Sequence, residues 1–318
     1  MAETILITGS TGLIGSALVR KFAADGWRVL AAARNISKAE TLFADLTNVK
    51  IVQWDVLDMP EFSESMDAII HAASETSSAA FVDCPVETIE SVLDGTRNVL
   101  AFAREQSVRS MVFLSTMEVY GAPMTDPVTE RDYGYLDPIA VRSSYPEAKR
   151  LAENLCVAYA AEYEVPVKIA RLTQTFGEGV RYDDGRVFAE FARAIIENRD
   201  IVLKTQGTTA RCYCYLGDAV EAIQTILAKG VNGEAYTVAN EATYCTIREM
   251  AERVVAANPE SGVKLVFNFT DAEKRGFAPP FQMRLDCTKL RSLGWIPKVG
   301  LEEMFARLIA SMREIRVS

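Results

Sequence analysis

The sequence predicts an α/β fold, a doubly wound parallel sheet followed by a smaller C-terminal lobe. Three observations carry this. Short apolar runs alternate with helix-like periodicity through residues 1–172. A glycine-rich turn separates the first run from the first helix. After Thr173 the alternation breaks down and segments become shorter and more mixed.

Taken in order, Thr4–Thr8 (TILIT) reads as a buried strand. Leu13, Ala17, Leu18 and Phe22 then recur at helical spacing as far as Gly26. Residues 29–33 form a second strand, 49–54 a third and Ala68–His71 a fourth. Residues 88–105 are a long helix and 110–115 a fifth strand. Residues 145–162 are another helix and Val167–Leu172 a sixth strand. Strands are expected again at 211–215 and Ala235–Val238, both within the smaller lobe. There are no repeats, low-complexity tracts or linkers, so the two parts are expected to pack together.

Composition narrows the function. The chain has 318 residues, 49% of them hydrophobic, which suits one large or two joined domains. A net charge of −9 without a basic run argues against nucleic acid and anionic membrane as partners. The opening MAETILITGS has neither a cationic start nor a long apolar run, so no export leader is expected. No apolar run reaches membrane-spanning length. The 6 cysteines are scattered, and Cys212-x-Cys214 lacks a second pair for zinc. A reducing cytoplasm and no metal site are the expectation. The 1 histidine, His71, ends an apolar run and reads as a packed strand-end residue. Acid/base work then falls to Tyr, Lys, Glu or Asp.

The first turn reads Gly9-Ser10-Thr11-Gly12-Leu13-Ile14-Gly15. Gly9 permits a sharp exit from the strand. Gly12 lets backbone approach a pyrophosphate, which the helix N-terminus stabilises, and Gly15 lets helix and strand pack closely. This is a dinucleotide-binding turn. Where NAD binders usually place an acid, at the end of the second strand, this chain has Ala33-Arg34. A cation there suits a 2′-phosphate and favours NADP, unless Arg34 is a solvated loop charge.

Residues 142–154 read RSSYPEAKRLAEN. Ser144, Pro146 and Glu147 fit a capping box at a helix start. That motif does not require Tyr145 or Lys149. Tyrosine and lysine four apart share one helix face. An ammonium near a phenol lowers its pKa from about 10, which makes an acid/base near neutral pH.

Together these stretches resemble the extended short-chain dehydrogenase/reductases, whose first domain is a Rossmann fold. The resemblance rests on the glycine turn, on Ser115-Thr116-Met117-Glu118-Val119-Tyr120-Gly121 and on Tyr145-x-x-x-Lys149. Asp55-Val56, His71-Ala72-Ala73, Gly95-Thr96-Arg97-Asn98, Leu285-Asp286 and Leu293-Gly294-Trp295 extend it over essentially the whole chain. The resemblance implies an NAD(P)-dependent nucleotide-sugar epimerase or dehydratase acting through transient oxidation at the sugar C4. It implies NAD as the usual cofactor, a homodimer, a dinucleotide domain at 1–172 and a mainly substrate-binding lobe at 173–318. Tyr145 would be the acid/base and Lys149 would contact the nicotinamide ribose and tune the phenol. Thr116 would hold the same hydroxyl, and Glu118 would be a base. Gly9, Gly12, Leu13, Ile14, Gly15, Arg34, Asp55, Val56 and Ala72 would line the cofactor. Gln174, Arg186 and Arg211 would meet the substrate.

This chain also departs from the family pattern. Met117 stands where dehydratases carry Asp and decarboxylases Ser, and it cannot donate a proton. Gln174 and Val92 replace two common asparagines, and Glu178 replaces a proline. The stretches Asp184-Gly185-Arg186-Val187 and Thr209-Ala210-Arg211-Cys212-Tyr213 look most like nucleotide-uronate decarboxylases. Decarboxylation, a simple NADPH reduction and a non-catalytic NAD(P)-sensing role stay open as alternatives.

Overall fold

The computed structural model describes residues 2–317 apart from 61, 63 and 270–280. A seven-stranded sheet forms its centre. Across it the strands run Ala235–Val238, Val167–Leu172, Ser110–Thr116, Ala68–His71, Thr4–Thr8, Arg28–Ala33 and Val49–Gln53. Every neighbouring pair is parallel. The order reverses between Thr4–Thr8 and Ala68–His71. In open α/β sheets that switch point is where ligands bind, beyond the strands' C-terminal ends.

Thr4–Thr8 and Val167–Leu172 are buried along their whole length, as strands covered on both faces must be. One face packs Leu18, Val19 and Phe22 of helix Leu13–Ala24 with Val220, Ile223 and Ile226 of helix Leu216–Lys229. The other packs Val99, Leu100 and Phe102 of helix Pro85–Glu105 with Ala148, Ala152 and Cys156 of helix Ser144–Tyr163.

Ala235–Val238 was expected in the smaller lobe. It is instead the edge strand of the large sheet, in register with Ile169–Leu172. Four residues carry a strand preference but not the identity of their partner. The edge is closed by side chains, since the Glu130 carboxylate accepts from the Thr237 N–H at 2.7 Å. Lys289 Nζ donates to the Ala235 carbonyl at 2.7 Å.

The smaller lobe is built on strand Ala210–Tyr215, which pairs with Gln174–Phe176, Asn240–Thr246 and Gln282–Met283. Alternation along Ala210–Tyr215 joins the two parts. Cys212 and Cys214 enter the core under the large sheet, while Tyr213 enters the core beneath helix Leu301–Val317. All 6 cysteines are free, and no cluster able to hold a metal occurs among the described residues. No helix among those residues is long and apolar enough to cross a membrane.

The expected capping box at Ser144 does not form. Ser144 already has helical backbone, and its hydroxyl donates to the Phe81 carbonyl at 2.8 Å. A tertiary acceptor has taken the hydroxyl from the local one. The sequence does make a capping box at Thr246 and Glu249, heading helix Ile247–Ala256.

His71 is 1% exposed and packs as a strand-end residue. The Ala73 N–H donates to Thr8 Oγ1 at 3.2 Å, so the Thr8 proton is free for His71 Nδ1 at 2.8 Å. A neutral ring protonated on Nε2 then faces Thr96 Oγ1 at 3.4 Å, and Thr96 passes its own proton to the Val92 carbonyl at 2.5 Å. Burial, with Lys149 nearby, pushes the His71 pKa down to about 3. The unfolded chain binds this proton near pH 6.5 and the folded chain does not. Stability should therefore fall by about 1.4 kcal/mol per pH unit as pH drops from 6.5 toward 3, on this group's account. Urea unfolding of wild type and His71→Asn over that range checks this. An identical slope in the two would show that His71 does not carry it.

Candidate functional site

The first strand delivers Gly9 at φ +64°, where glycine is at ease. A Cβ on Gly9 would meet the Ala73 nitrogen at 2.6 Å and the Ala72 carbonyl at 2.7 Å. One on Gly15 would meet the Gly9 carbonyl oxygen at 2.1 Å. These two glycines are thus demanded by packing at the switch point. Gly12 differs, because a Cβ there meets only the Gly9 oxygen, at 3.3 Å. Its open side leaves room for a ligand. Gly12 is the N-cap of helix Leu13–Ala24, and no side chain caps that helix. Its first amides are open to an anion. Ile14 packs on the core of the large sheet and Leu13 on the core of the smaller lobe. The turn therefore touches both parts of the molecule.

Around the turn lie the other expected cofactor contacts. Ala72 presses on Gly9, as above. Arg34 is exposed at the end of Arg28–Ala33 and forms no ion pair among the described residues. Asp55 is half-buried and accepts from the Leu57 N–H at 3.2 Å. The Val56 carbonyl accepts from Asn98 Nδ2 at 2.9 Å, and the Val56 side chain lies where a Cβ on Gly95 would fall.

Strand Ser110–Thr116 ends in a 3-10 turn, Met117–Tyr120. Thr116 caps that turn, accepting from the Glu118 N–H at 3.2 Å, and its hydroxyl acts to lower the pKa of the Tyr145 phenol. Tyr145 is 7% exposed and stacks on Phe81 at 4.2 Å with rings 4° apart. Lys149 follows one helical turn later, 2% exposed, with Nζ donating to the Leu114 carbonyl at 2.9 Å. Its ammonium lies 4.6 Å from the Phe113 ring centroid and 5.8 Å from that of Tyr145.

The shared face of Tyr145 and Lys149 is thus present, but the expected electrostatics are not. Burial raises the phenol's pKa above its ordinary value, and Glu118 raises it further. Thr116 and Arg142 pull it down without overcoming burial. Spacing alone could not show that desolvation outweighs a neighbouring cation. Lys149 itself is pushed down to about 8 by burial, against the pull of Cys156 and Glu153.

Glu118 accepts from Arg142 Nη2 at 3.2 and 3.0 Å. Arg211 is half-buried with its guanidinium 4.8 Å from the Phe281 centroid. Burial lowers its pKa, while Tyr213 and Glu118 raise it, and it has no ion pair among the described residues. Gln174 is half-buried beside Tyr213 in register, and its side chain makes no hydrogen bond among those residues. Arg186 stands apart, engaged by Asp184 at 2.6 Å and lying over Phe188 at 4.8 Å. None of the other expected site residues is its partner.

The family departures have structural roles here. Met117 is 4% exposed in the core, its sulfur 3.2 Å from Thr173 Oγ1. Val92 is 1% exposed and receives Thr96. Glu178 accepts from the Tyr215 hydroxyl at 2.8 Å, and that oxygen accepts from Arg307 Nη1 at 2.8 Å. Sequence reasoning missed Phe81 and Arg142. No spacing signal links them, because 60 residues separate side chains that meet only in the fold. A separate cavity of about 880 Å³ opens at the sheet edge, lined by Arg150, Glu153, Arg171 and Lys289 among others. None of the expected site residues lines it.

Comparison with known proteins identifies the family. A family model described as "NAD dependent epimerase/dehydratase family" matches residues 5–239. UDP-glucuronic acid decarboxylase 6 of Arabidopsis thaliana is 33% identical over 305 residues, covering 94% of this chain and 85% of that one. UDP-glucuronic acid decarboxylase 1 of Xenopus tropicalis is 29% identical over 320 residues, covering 98% and 72%. Among solved structures, a UDP-glucose 4-epimerase of Thermotoga maritima with UDP-glucose superposes with TM-score 0.83 at 22% identity, covering 98% and 99% of the two chains. A UDP-glucuronic acid 4-epimerase of Bacillus cereus in complex with NAD gives 0.80 at 18%, with the same coverage. At those identities the structures speak for the fold alone. The match over residues 5–239 and the identity across nearly the whole chain make this protein an enzyme of the NAD-dependent epimerase/dehydratase family, within the extended short-chain dehydrogenase/reductases.

Proposed function

We propose that the protein transiently oxidises C4 of a nucleotide sugar, and that decarboxylation of a nucleoside-diphosphate uronic acid is the outcome its site supports best. The observation that carries the second step is Met117. It lies in the core beside Thr173 and has no proton to give. Expulsion of water needs an acid at the leaving oxygen, but loss of carbon dioxide does not. With C4 a ketone, the C5–C6 bond of a uronate breaks, its electron pair passes to the C4 oxygen, and carbon dioxide leaves. The identity to UDP-glucuronic acid decarboxylases supports this reading.

Bound NAD would supply a hydride acceptor and return the hydride at the end. Tyr145 would take the proton of the C4 hydroxyl, with Thr116 bonded to the same oxygen. Lys149 would hold the cofactor ribose. Glu118, whose charge acts on the phenol, would handle the proton at the neighbouring carbon. Arg211, which has no ion pair among the described residues, would meet the substrate's diphosphate. Gln174 and Arg186 would complete that side, within a mainly substrate-binding region at 173–318. We propose a cytoplasmic location, which the scattered free cysteines suit, and a homodimer, as the resemblance implies. Exposed Val86, Ile89, Leu151 and Val157 on helices Pro85–Glu105 and Ser144–Tyr163 supply apolar surface for it.

Incubation with NAD and a panel of UDP-, dTDP-, CDP- and GDP-sugars, including UDP-glucuronic acid, tests the reading by mass spectrometry. Loss of carbon dioxide from the uronate is expected. Unchanged mass with a new stereoisomer would make the enzyme an epimerase, and loss of water a dehydratase. No turnover of any sugar would favour a reductase or a sensor.

Gly12→Val should abolish NAD binding, because its branches would fill the open side of the turn. The Gly12 backbone, at φ −80° and ψ 172°, accepts valine, so the mutant should fold. Calorimetric titration checks this, and unchanged affinity in a folded mutant would remove the phosphate-turn reading.

Tyr145→Phe keeps the stack on Phe81 and should cut turnover by about 10²–10⁴-fold. Lys149→Met should weaken both turnover and cofactor binding. Turnover of Tyr145→Phe within a few fold of wild type would end the acid/base assignment.

Arg34→Asp separates the two cofactors. If Arg34 meets a 2′-phosphate, the change should weaken NADP by about 10–100-fold, the equivalent of roughly 1–3 kcal/mol, and leave NAD nearly unaffected. Equal effects on both would make Arg34 a loop charge.

A further inference from the structure

Arg142 lies on the turn Val141–Ser143, just ahead of the helix that carries Tyr145. Its Nη2 donates to both oxygens of the Glu118 carboxylate, at 3.2 and 3.0 Å. Its guanidinium also lies over the Phe81 ring, 4.8 Å from the centroid. Phe81 is 2% exposed and stacks in parallel on Tyr145 at 4.2 Å. The Ser144 hydroxyl, donating to the Phe81 carbonyl at 2.8 Å, ties the short helix Ala80–Asp83 to the start of helix Ser144–Tyr163. One cation thus touches Glu118 directly and Tyr145 through a single ring.

These contacts are poor value as stability. The Arg142 and Glu118 side chains are 43% and 32% exposed, and exposed ion pairs contribute about 0–1 kcal/mol. A cation that is itself part-exposed to water, as Arg142 is, adds about 0.5–1 kcal/mol over a ring. Their worth is directional. The phenol plane is fixed by Phe81 and the carboxylate by Arg142, and a misplacement of about 1 Å at a reacting group can cost on the order of 100-fold in rate.

We propose that Arg142 is a positioning residue, which fixes the Glu118 carboxylate and, through Phe81, the plane of the Tyr145 ring. The proposal rests on the reading that Tyr145 and Glu118 handle protons. Charge works the same way as geometry. Burial holds the phenol's pKa up, Glu118 and Glu75 add to that, and Arg142 and Thr116 oppose it. Lys149, 5.8 Å from the ring centroid, is the other cation facing it, and Phe81 is uncharged. Removing Arg142 therefore removes a group that makes the phenol easier to ionise.

The test uses the full chain with NAD and the nucleotide sugar it turns over. Arg142→Gln should lower kcat by about 10–100-fold with KM and cofactor affinity within about threefold. The ascending limb of the kcat–pH profile, which reports ionisation of the base, should move to higher pH. Arg142→Lys should restore part of kcat, because charge returns without the planar group. Phe81→Leu should lower kcat with the Arg142–Glu118 pair intact. In a Glu118→Gln background, Arg142→Gln should cost less than in wild type, because the carboxylate it holds is gone. Unchanged kcat and pH limb, a loss confined to KM, or full additivity with Glu118→Gln would each overturn the proposal. If wild type turns over no nucleotide sugar, the functional reading fails, and a crystal structure of Arg142→Gln decides the positioning role alone. A displaced Glu118 carboxylate and tilted Tyr145 ring would support it; both groups unmoved would overturn it.

Discussion

Arg171 and Glu153 form an ion pair inside the protein, their side chains 1% and 8% exposed. Arg171 Nη2 donates to Glu153 at 2.7 Å and to the Tyr133 hydroxyl at 2.7 Å, and its Nη1 donates to the Glu130 carbonyl at 2.9 Å. The Ser115 hydroxyl donates to the same carboxylate at 2.5 Å. An apolar pair of similar volume is often no worse for stability, because two charges must leave water. What the ion pair adds is direction. It fixes helix Ser144–Tyr163 against two central strands and a loop through one side chain. Residues 145, 149 and 153 recur every four positions and share one stripe of that helix. Once Glu153 is placed, the azimuth of Tyr145 and Lys149 follows.

The same stripe sets the electrostatics. Burial pushes Lys149 down to about 8, and the Glu153 charge one turn away opposes it. The ammonium therefore survives at neutral pH in an apolar setting, held to the Leu114 carbonyl. Tyr145 sits where burial favours the neutral phenol, and Thr116 and Arg142 are the groups that work against burial. The expectation of a simple tyrosine–lysine couple was too local. The phenol answers to a strand end, a 3-10 turn and a short helix at once.

What was legible in the sequence was whatever depends on near neighbours. Thr4–Thr8, Ala68–His71 and Val167–Leu172 fall where their apolar runs place them, because strands buried on both faces read as continuous apolar segments. The glycine turn was legible because Gly9 and Gly15 answer steric demands that only a backbone without Cβ meets, while Gly12 keeps its outer side open. Partners far along the chain were not legible. Ala235–Val238 pairs with a strand over sixty residues earlier. Ser144 looked like a cap because a nearby orphan amide is a common acceptor's partner, yet the Phe81 carbonyl took its proton. Phe81 and Arg142 carry no motif at all, since an aromatic and an arginine are ordinary in any loop until the fold stacks them.

Met117 shows how a core can constrain chemistry. Its neighbour Thr173 donates to the Cys212 carbonyl at 2.6 Å, which leaves the hydroxyl no second proton for a group at position 117. A thioether accepts that neglect at little cost. An aspartate in the same buried place would need donors that Thr173 cannot provide, and an unpaired carboxylate there would be held neutral or pushed out. Turning this site toward expulsion of water therefore takes more than one acid. It takes a hydrogen-bond donor beside position 117 that Thr173, committed to the Cys212 carbonyl, does not supply. The proton donor is missing because the packing beneath it is committed elsewhere, and under the proposed reading Glu118 and Tyr145 would then carry the protons at this end of the sheet.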